Sequence, residues 1–162
     1  MLRIPKLFFV AALVFCSLVQ ADTRILLEVS GFSAQRGEQV NIALSDKDLA
    51  NLPQRTIQTQ THWTKGIITF RGPLLRDVLA HVGVSGQYIK ARAANDYMIE
   101  IPYSDFLEND VILAMSRDGV PMTLRSKGPL WVIYPWSENT SLQQGIYYSR
   151  AIWQLVEISS HD

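Results

Sequence analysis

Residues 67–83 read IITFRGPLLRDVLAHVG, and this stretch joins a strand pattern directly to a helix pattern. Ile67–Phe70 is a β-rich, extended run. Pro73–Val82 is predicted to be a helix, with Pro73 in its first turn, where a missing N–H costs nothing. Apolar residues recur at helical spacing on one stripe, at Leu74, Leu75, Val78, Leu79 and Val82. Gly83 follows as the expected C-terminal cap, so the stretch predicts a strand followed by a short amphipathic helix.

Most of the remaining chain has the composition and alternation of short strands. Further strands are predicted at Ile25–Ser30, Gln39–Leu44, Arg55–Thr61, Gln87–Ala93, Tyr97–Ile101, Val111–Ser116, Met122–Leu124, Leu130–Tyr134 and Gln154–Ser159. The first two should pair, and Arg117-Asp118-Gly119 is typical of a hairpin turn. Short helical segments are predicted from Ser45 to Leu52 and within Gly145–Trp153. Many short strands with two or three short helices indicate an α+β, mainly β, fold rather than a parallel α/β sheet.

Residues 1–21 have the pattern of a secretory signal peptide. Arg3 and Lys6 precede the apolar run Leu7–Cys16, and Val19-Gln20-Ala21 ends in a small residue that suits signal peptidase. The apolar run is too short to span a membrane. We therefore expect cleavage before Asp22, a periplasmic product without membrane insertion, and a single domain over residues 22–162.

The only cysteine of the chain, Cys16, would leave with that signal peptide. The mature protein would then form no disulfide and offer no thiolate as nucleophile or metal ligand. The full chain carries 15 basic and 15 acidic residues without a basic run, which argues against nucleic acid and anionic membranes as partners.

Catalytic motifs are sparse. His62 lies in a predicted loop, but His81 falls on the predicted helix and His161 at the tail, so an ordinary polar histidine is favoured over a metal site. The sequence contains no Gly-x-Ser-x-Gly elbow and no glycine-rich phosphate loop. Asp105, Glu108 and Asp110 are interpreted as solvated or capping carboxylates.

Asn95-Asp96-Tyr97 joins two predicted strands and permits two interpretations. These residues form turns readily, so a hairpin turn with an aromatic side chain packed behind it is one. The other places them at the rim of a ligand pocket, with Arg92, Arg125 and Lys127 as cations for an anionic group. Trp136 stands among polar residues in its loop, which is also typical of a pocket rim.

Several segments together resemble one family. They are Trp63-Thr64-Lys65-Gly66, Phe70-Arg71-Gly72-Pro73-Leu74, Ala94-Asn95-Asp96-Tyr97, Glu100-Ile101-Pro102, Asp118-Gly119, Lys127-Gly128-Pro129-Leu130 and Tyr134-Pro135. In this order they resemble the oxidoreductase molybdopterin-binding domain, and especially its small, exported, stand-alone versions. The resemblance implies the sulfite-oxidase-type fold of mixed sheets with a few short helices, and molybdopterin as cofactor.

In catalytic members of that family, a cysteine upstream of the aromatic-x-Gly stretch ligates molybdenum. The resemblance puts this position near Thr59-Gln60-Thr61, whose neutral oxygens are much weaker ligands for that metal. An arginine of relatives corresponds to Trp131 here. A C-terminal Lys-Trp pair of relatives corresponds to Arg150 or to the surroundings of Trp153, with the register open. The resemblance thus implies the scaffold without its thiolate ligand.

We therefore expect a non-redox binding module for a pterin-like or other anionic ligand, or for a partner protein. The cleft is predicted to be lined by Thr61, Trp63, Asn95, Asp96, Tyr97, Arg125 and Trp131. Two alternatives stay open. The chain could be an oxidoreductase subunit that binds molybdopterin without a cysteine ligand, or a periplasmic partner of a membrane sensor or transporter. An exposed apolar patch that includes Trp136 would favour the latter.

Overall fold

The computed structural model describes residues 24–162. The predicted signal peptide and Cys16 lie outside the described residues, so cleavage and export stay predictions. No helix in the described range has both the length and the apolar character needed to cross a membrane.

The described chain is built mainly from short strands. They are β1 Ile25–Ser33, β2 Glu38–Ser45, β3 Gln54–Gln60, β4 Ile67–Pro73, β5 Tyr88–Ala93, β6 Met98–Pro102, β7 Ile112–Ala114, β8 Ser116–Arg117, β9 Val120–Pro121, β10 Trp131–Ile133 and β11 Leu155–His161. The helices are α1 Asp46–Asn51, α2 Leu75–Val82, α3 Ser104–Glu108 and α4 Gly145–Arg150, with 3₁₀ turns at Leu124–Ser126 and Thr140–Leu142. This content confirms the α+β, mainly β, prediction.

The strands form mixed sheets rather than one parallel sheet. One sheet has the order β2-β1-β11-β5-β6, and its only parallel pair among the described residues joins β1 to the C-terminal strand β11. A second sheet has the order β3-β4-β8-β9, and β7 pairs with β10. Because β11 lies between β1 and β5, the two ends of the described chain are tied into one sheet.

Local signals in the sequence account for several element boundaries. The Ser45 hydroxyl accepts a hydrogen bond from the Asp48 N–H at 3.1 Å, and the Asp48 carboxylate accepts one from the Ser45 N–H at 2.8 Å. This capping box starts α1 as predicted. Asp118 and Gly119 both adopt positive φ, 48° and 78°, in the turn between β8 and β9, and Gly83 ends α2 at φ 81°.

Two predicted boundaries are wrong. Pro73 ends β4, where it pairs with Gln54, instead of opening the helix; α2 begins at Leu75, whose N–H donates to the Val111 carbonyl. The run Val111–Ser116 is split between two sheets, because β7 pairs with β10 whereas β8 pairs with β4. Both boundaries are set by pairing between strands that lie far apart in the sequence, and local composition does not indicate that pairing.

The predicted strand Met122–Leu124 is also wrong. The strand that pairs with β8 is Val120–Pro121, and Leu124 opens a 3₁₀ turn. Ser126 helps to fix this turn by accepting a hydrogen bond from the Thr123 N–H at 2.8 Å. The side-chain hydrogen bonds of this cap favour the 3₁₀ turn over the weakly predicted strand.

Candidate functional site

A cleft of about 340 Å³ opens where three segments meet: the loop after β3, the β5–β6 turn, and α4 with the residues that follow it. Its lining residues are Trp63, Ala93, Asn95, Tyr97, Tyr148, Ser149, Ala151, Ile152 and Trp153. None of these carries a formal charge, and four of them are aromatic. The volume lies at the lower end of the range for small-molecule pockets.

The walls of the cleft are locked by aromatic edge-to-face packing. The ring of Trp63 lies 5.3 Å from that of Trp153 at an interplanar angle of 69°, and 6.2 Å from that of Tyr148 at 77°. Trp131 is fully buried behind them, 5.9 Å from Trp63, and its indole N–H donates to the Ala151 carbonyl at 3.0 Å. Trp131 therefore supports the cleft wall from behind and does not line the cleft.

Tyr148 is also stacked on two further rings. The His62 ring lies 3.6 Å from it at 23°, on the exposed side, and the Trp136 ring lies 5.0 Å from it at 16°. Trp136 is only 1% exposed, so its interpretation as a pocket-rim residue is wrong. Its neighbours Tyr134 and Tyr148 bury it, and no exposed patch within the described residues includes it.

The structure of the β5–β6 turn agrees with a part of each interpretation of Asn95-Asp96-Tyr97. It is a hairpin turn in which the Asp96 N–H donates to the Ala93 carbonyl at 3.0 Å, with Asp96 at φ 64°. Asn95 and Tyr97 line the cleft, and the Asn95 side-chain oxygen accepts from the Tyr97 N–H at 3.3 Å. Asp96 instead pairs with Arg92 at 3.2 Å and does not line the cleft.

Of the three cations assigned to this cleft, Arg92 is paired with Asp96 and Glu157, and the other two have different positions. Arg125 is exposed and lines a separate cavity together with Arg24. The Lys127 ammonium lies 3.7 Å from the centroid of the Trp153 ring, a cation–π contact with one wall of the cleft. Burial lowers the pKa of Lys127 below its ordinary value.

The threonines near the predicted metal-ligand position are already hydrogen-bonded. The Thr59 hydroxyl lies 3.2 Å from that of Ser137 and accepts from the Ser137 N–H at 3.1 Å. Thr61 is 3% exposed beneath the loop; its hydroxyl lies 2.9 Å from that of Thr64 and accepts from the Trp63 N–H at 3.1 Å. Both side chains therefore fix loops around the cleft, and Thr61 positions Trp63. Residues 24–162 contain no cluster of three or more His, Cys, Asp or Glu side chains that could hold a metal.

A buried ion pair, which sequence reasoning missed, holds α4 in place. The Arg150 guanidinium donates to both oxygens of Asp105, at 3.1 and 2.8 Å, and the Tyr134 hydroxyl donates to the same carboxylate at 2.8 Å. Asp105 is only 7% exposed, so its interpretation as solvated is wrong. Burial, and then the nearby Asp105 carboxylate, raises the pKa of Tyr134 well above its ordinary value of 10.0.

This pair matters for the cleft because α4 carries Tyr148 and Ser149. The Asp105–Arg150 pair ties the end of α4 to α3, so it sets the position of one cleft wall. In the sequence, the family resemblance points to Arg150, but nothing local identifies its partner Asp105, which lies 45 residues away.

A family model described as the oxidoreductase molybdopterin binding domain matches residues 27–142, which is most of the chain. The matched range includes Trp63, Asn95 and Tyr97 but ends before α4, which supplies the opposite wall of the cleft. No curated protein matches the chain.

Proposed function

This chain belongs to the oxidoreductase molybdopterin binding domain family, and from that premise we propose that it is an exported, periplasmic binding module for a planar, pterin-like ligand. The aromatic cleft is the observation that carries the proposal. The aromatic residues Trp63, Tyr148 and Trp153 line a volume of about 340 Å³, which suits a flat bicyclic ring.

The residues present fit a pterin ring better than a molybdenum centre. The oxygens of Thr59 and Thr61 are neutral, hard donors, and both are engaged in hydrogen bonds that fix loops. The lining of the cleft carries no charge that would hold a phosphate group. We therefore derive no redox step at a metal, and propose that the module holds the ring system alone.

Each part of the cleft then has a definite role. Trp63 and Trp153 contact the ring of the ligand. Their mutual edge-to-face contact holds both indoles in position before the ligand binds. The Asn95 amide N–H₂ is available for a ring acceptor, because its oxygen already accepts from the Tyr97 N–H. Lys127 supplies one positive charge beside Trp153, which favours a ligand with a single negative charge.

Replacing Trp63 with alanine should weaken ligand binding by roughly tenfold, because one stacking surface is lost. The measurement is a titration of the purified protein with pterin carboxylate, a planar monoanion, followed by quenching of tryptophan fluorescence. Trp63→Phe should retain most of the affinity. Phe32→Ala, which removes a half-exposed ring on β1 outside the cleft, is the matched control and should leave binding unchanged. Equal binding by wild type and Trp63→Ala would exclude this cleft as the site.

Protein purified from the periplasm should have the mass of a chain that begins at Asp22, because Ala21 ends a signal-peptide pattern. Elemental analysis of the same sample should find molybdenum far below one atom per chain, since no thiolate is left to hold it. Retention of residues 1–21 in the purified protein would contradict the export proposal. Stoichiometric molybdenum would contradict the non-redox part and favour an oxidoreductase subunit that binds molybdopterin without a cysteine ligand.

A further inference from the structure

A second concave surface lies apart from the aromatic cleft and shares no lining residue with it. It consists of two cavities of about 390 and 440 Å³, which adjoin because Arg24, Met122 and Pro129 line both. We call the two together the arginine groove. Arg71 lines only the first cavity, and Arg125 only the second.

The three arginines of this groove have no carboxylate partner among the described residues. All three are exposed, and within residues 24–162 none of their side chains makes an ion pair or a hydrogen bond. Four other arginines have carboxylate partners, namely Arg55, Arg76, Arg92 and Arg150. Arg36 and Arg117 have none within the described residues, but neither lines the groove. Among the described residues, Asp46 is the one carboxylate that lines the groove, and it already accepts from the Lys47 N–H at 2.8 Å. With three arginines against one carboxylate, the groove carries a net positive charge in a chain whose overall charge is balanced.

The floor of the groove is apolar. By the floor we mean the large apolar residues that line the first cavity, which are Leu26, Met115, Pro121, Met122 and Pro129; Ala50, Gln54 and Ser116 line that cavity as well. Methionine side chains adapt to irregular partners, which makes them common at surfaces that bind apolar peptide side chains. The floor is also held in shape, because Gly128 packs directly against Met122: a Cβ at Gly128 would overlap the Met122 side chain and lie 2.6 Å from its carbonyl carbon.

The separation of the arginines along the groove determines which kind of ligand can contact all three of them. Since Arg71 and Arg125 line different cavities, a single small anion in either cavity meets only one of them together with Arg24. An extended chain can place several carboxylates along the rim while its apolar side chains enter the floor. We propose that the arginine groove binds an extended, acidic segment of a partner protein in which carboxylates alternate with apolar side chains.

The test uses a short fluorescein-labelled peptide in which glutamate alternates with leucine, and fluorescence anisotropy as the readout. The full-length mature protein should bind it, and added salt should weaken the binding. The double variant R71E/R125E should bind about tenfold more weakly or worse, because it replaces two attractions with two repulsions. Neither side chain has a partner within the described chain, so circular dichroism and the thermal midpoint should stay close to those of the wild type.

The matched control is R36E/K90E, which changes the net charge by the same amount. Arg36 lies in the β1–β2 turn and Lys90 on β5; both are exposed and neither lines the groove. This variant should bind the peptide as the wild type does. A peptide in which glutamate alternates with serine should bind more weakly than the leucine peptide, because the apolar floor would be left without a partner.

Three outcomes would overturn the proposal. The first is failure of the wild type to bind the peptide. The second is an equal loss in R71E/R125E and R36E/K90E, which would indicate unspecific charge attraction. The third is binding to phosphatidylglycerol vesicles, lost in R71E/R125E, with no binding to the peptide; that result would assign the groove to a lipid surface. Because these measurements do not involve the aromatic cleft, their failure leaves the pterin proposal untouched, and the converse also holds.

Discussion

Gly72→Ala is expected to destabilise the protein severely, by about 4 kcal/mol or more. Gly72 lies in β4 where that strand crosses β7. A Cβ at this position would overlap the Leu113 carbonyl oxygen and lie 2.7 Å from the Leu113 carbonyl carbon and 2.9 Å from the Ala114 Cα. These are backbone atoms of a buried strand, so no side-chain rotation can relieve the overlap.

The measurement is urea unfolding followed by tryptophan fluorescence, with Gly145→Ala as the matched control. Gly145 opens α4, and a Cβ there would meet no atom within 4 Å. Alanine favours helix over glycine, so Gly145→Ala should be neutral or slightly stabilising. Similar free energies of unfolding for Gly72→Ala and Gly145→Ala would show that β4 and β7 do not approach each other closely at Gly72.

Asp105→Asn is expected to cost about 3–5 kcal/mol, because it leaves the Arg150 guanidinium buried without its counter-charge. The Tyr134 hydroxyl would also lose its charged acceptor. Urea unfolding gives the free energy. Affinity for pterin carboxylate should fall as well, because the pair holds α4 and with it Tyr148 in the cleft wall.

The control is the same chemical change at an exposed pair. Asp96 bonds Arg92 at 3.2 Å but its side chain is 85% exposed, so Asp96→Asn should cost less than about 1 kcal/mol. A second control is the double variant Asp105→Leu/Arg150→Met, which removes both charges and should recover much of the stability lost in Asp105→Asn. If the double variant is less stable than Asp105→Asn, the cost comes from lost packing and not from the unpaired charge.

Much of the fold could be predicted because its signals are local. The stripe of Leu75, Val78, Leu79 and Val82 is buried as its helical spacing predicts. Capping at Ser45 and the turn at Asp118-Gly119 depend on side-chain oxygens and backbone freedom within a few residues. The boundaries that failed, at Pro73 and Ser116, were decided by pairing with strands far along the chain.

The candidate site was predicted only in part, for the same reason. Trp63, Asn95 and Tyr97 line the cleft, whereas Thr61 and Trp131 lie buried behind it. The sequence analysis assigns Asp96 to this cleft as part of a turn and Arg125 as a cation for an anionic ligand, but Asp96 pairs with Arg92 and Arg125 lines a separate cavity. The sequence pattern does not single out Tyr148, and it indicates Trp153 only through the family resemblance, since nothing local shows that α4 packs against the β5–β6 turn.

The amino-acid sequence by itself determined the class of fold, the family, the candidate signal peptide and the absence of a thiol from residues 22–162. These depend on residue types and on short-range spacing. Only the tertiary structure decided that the cleft is aromatic and uncharged, that Asp105 and Arg150 anchor its wall, and that three arginines line a separate groove. The physical reason is that burial and charge pairing arise between residues brought together by the sheets, and the spacing of residues along the chain does not encode those distances directly.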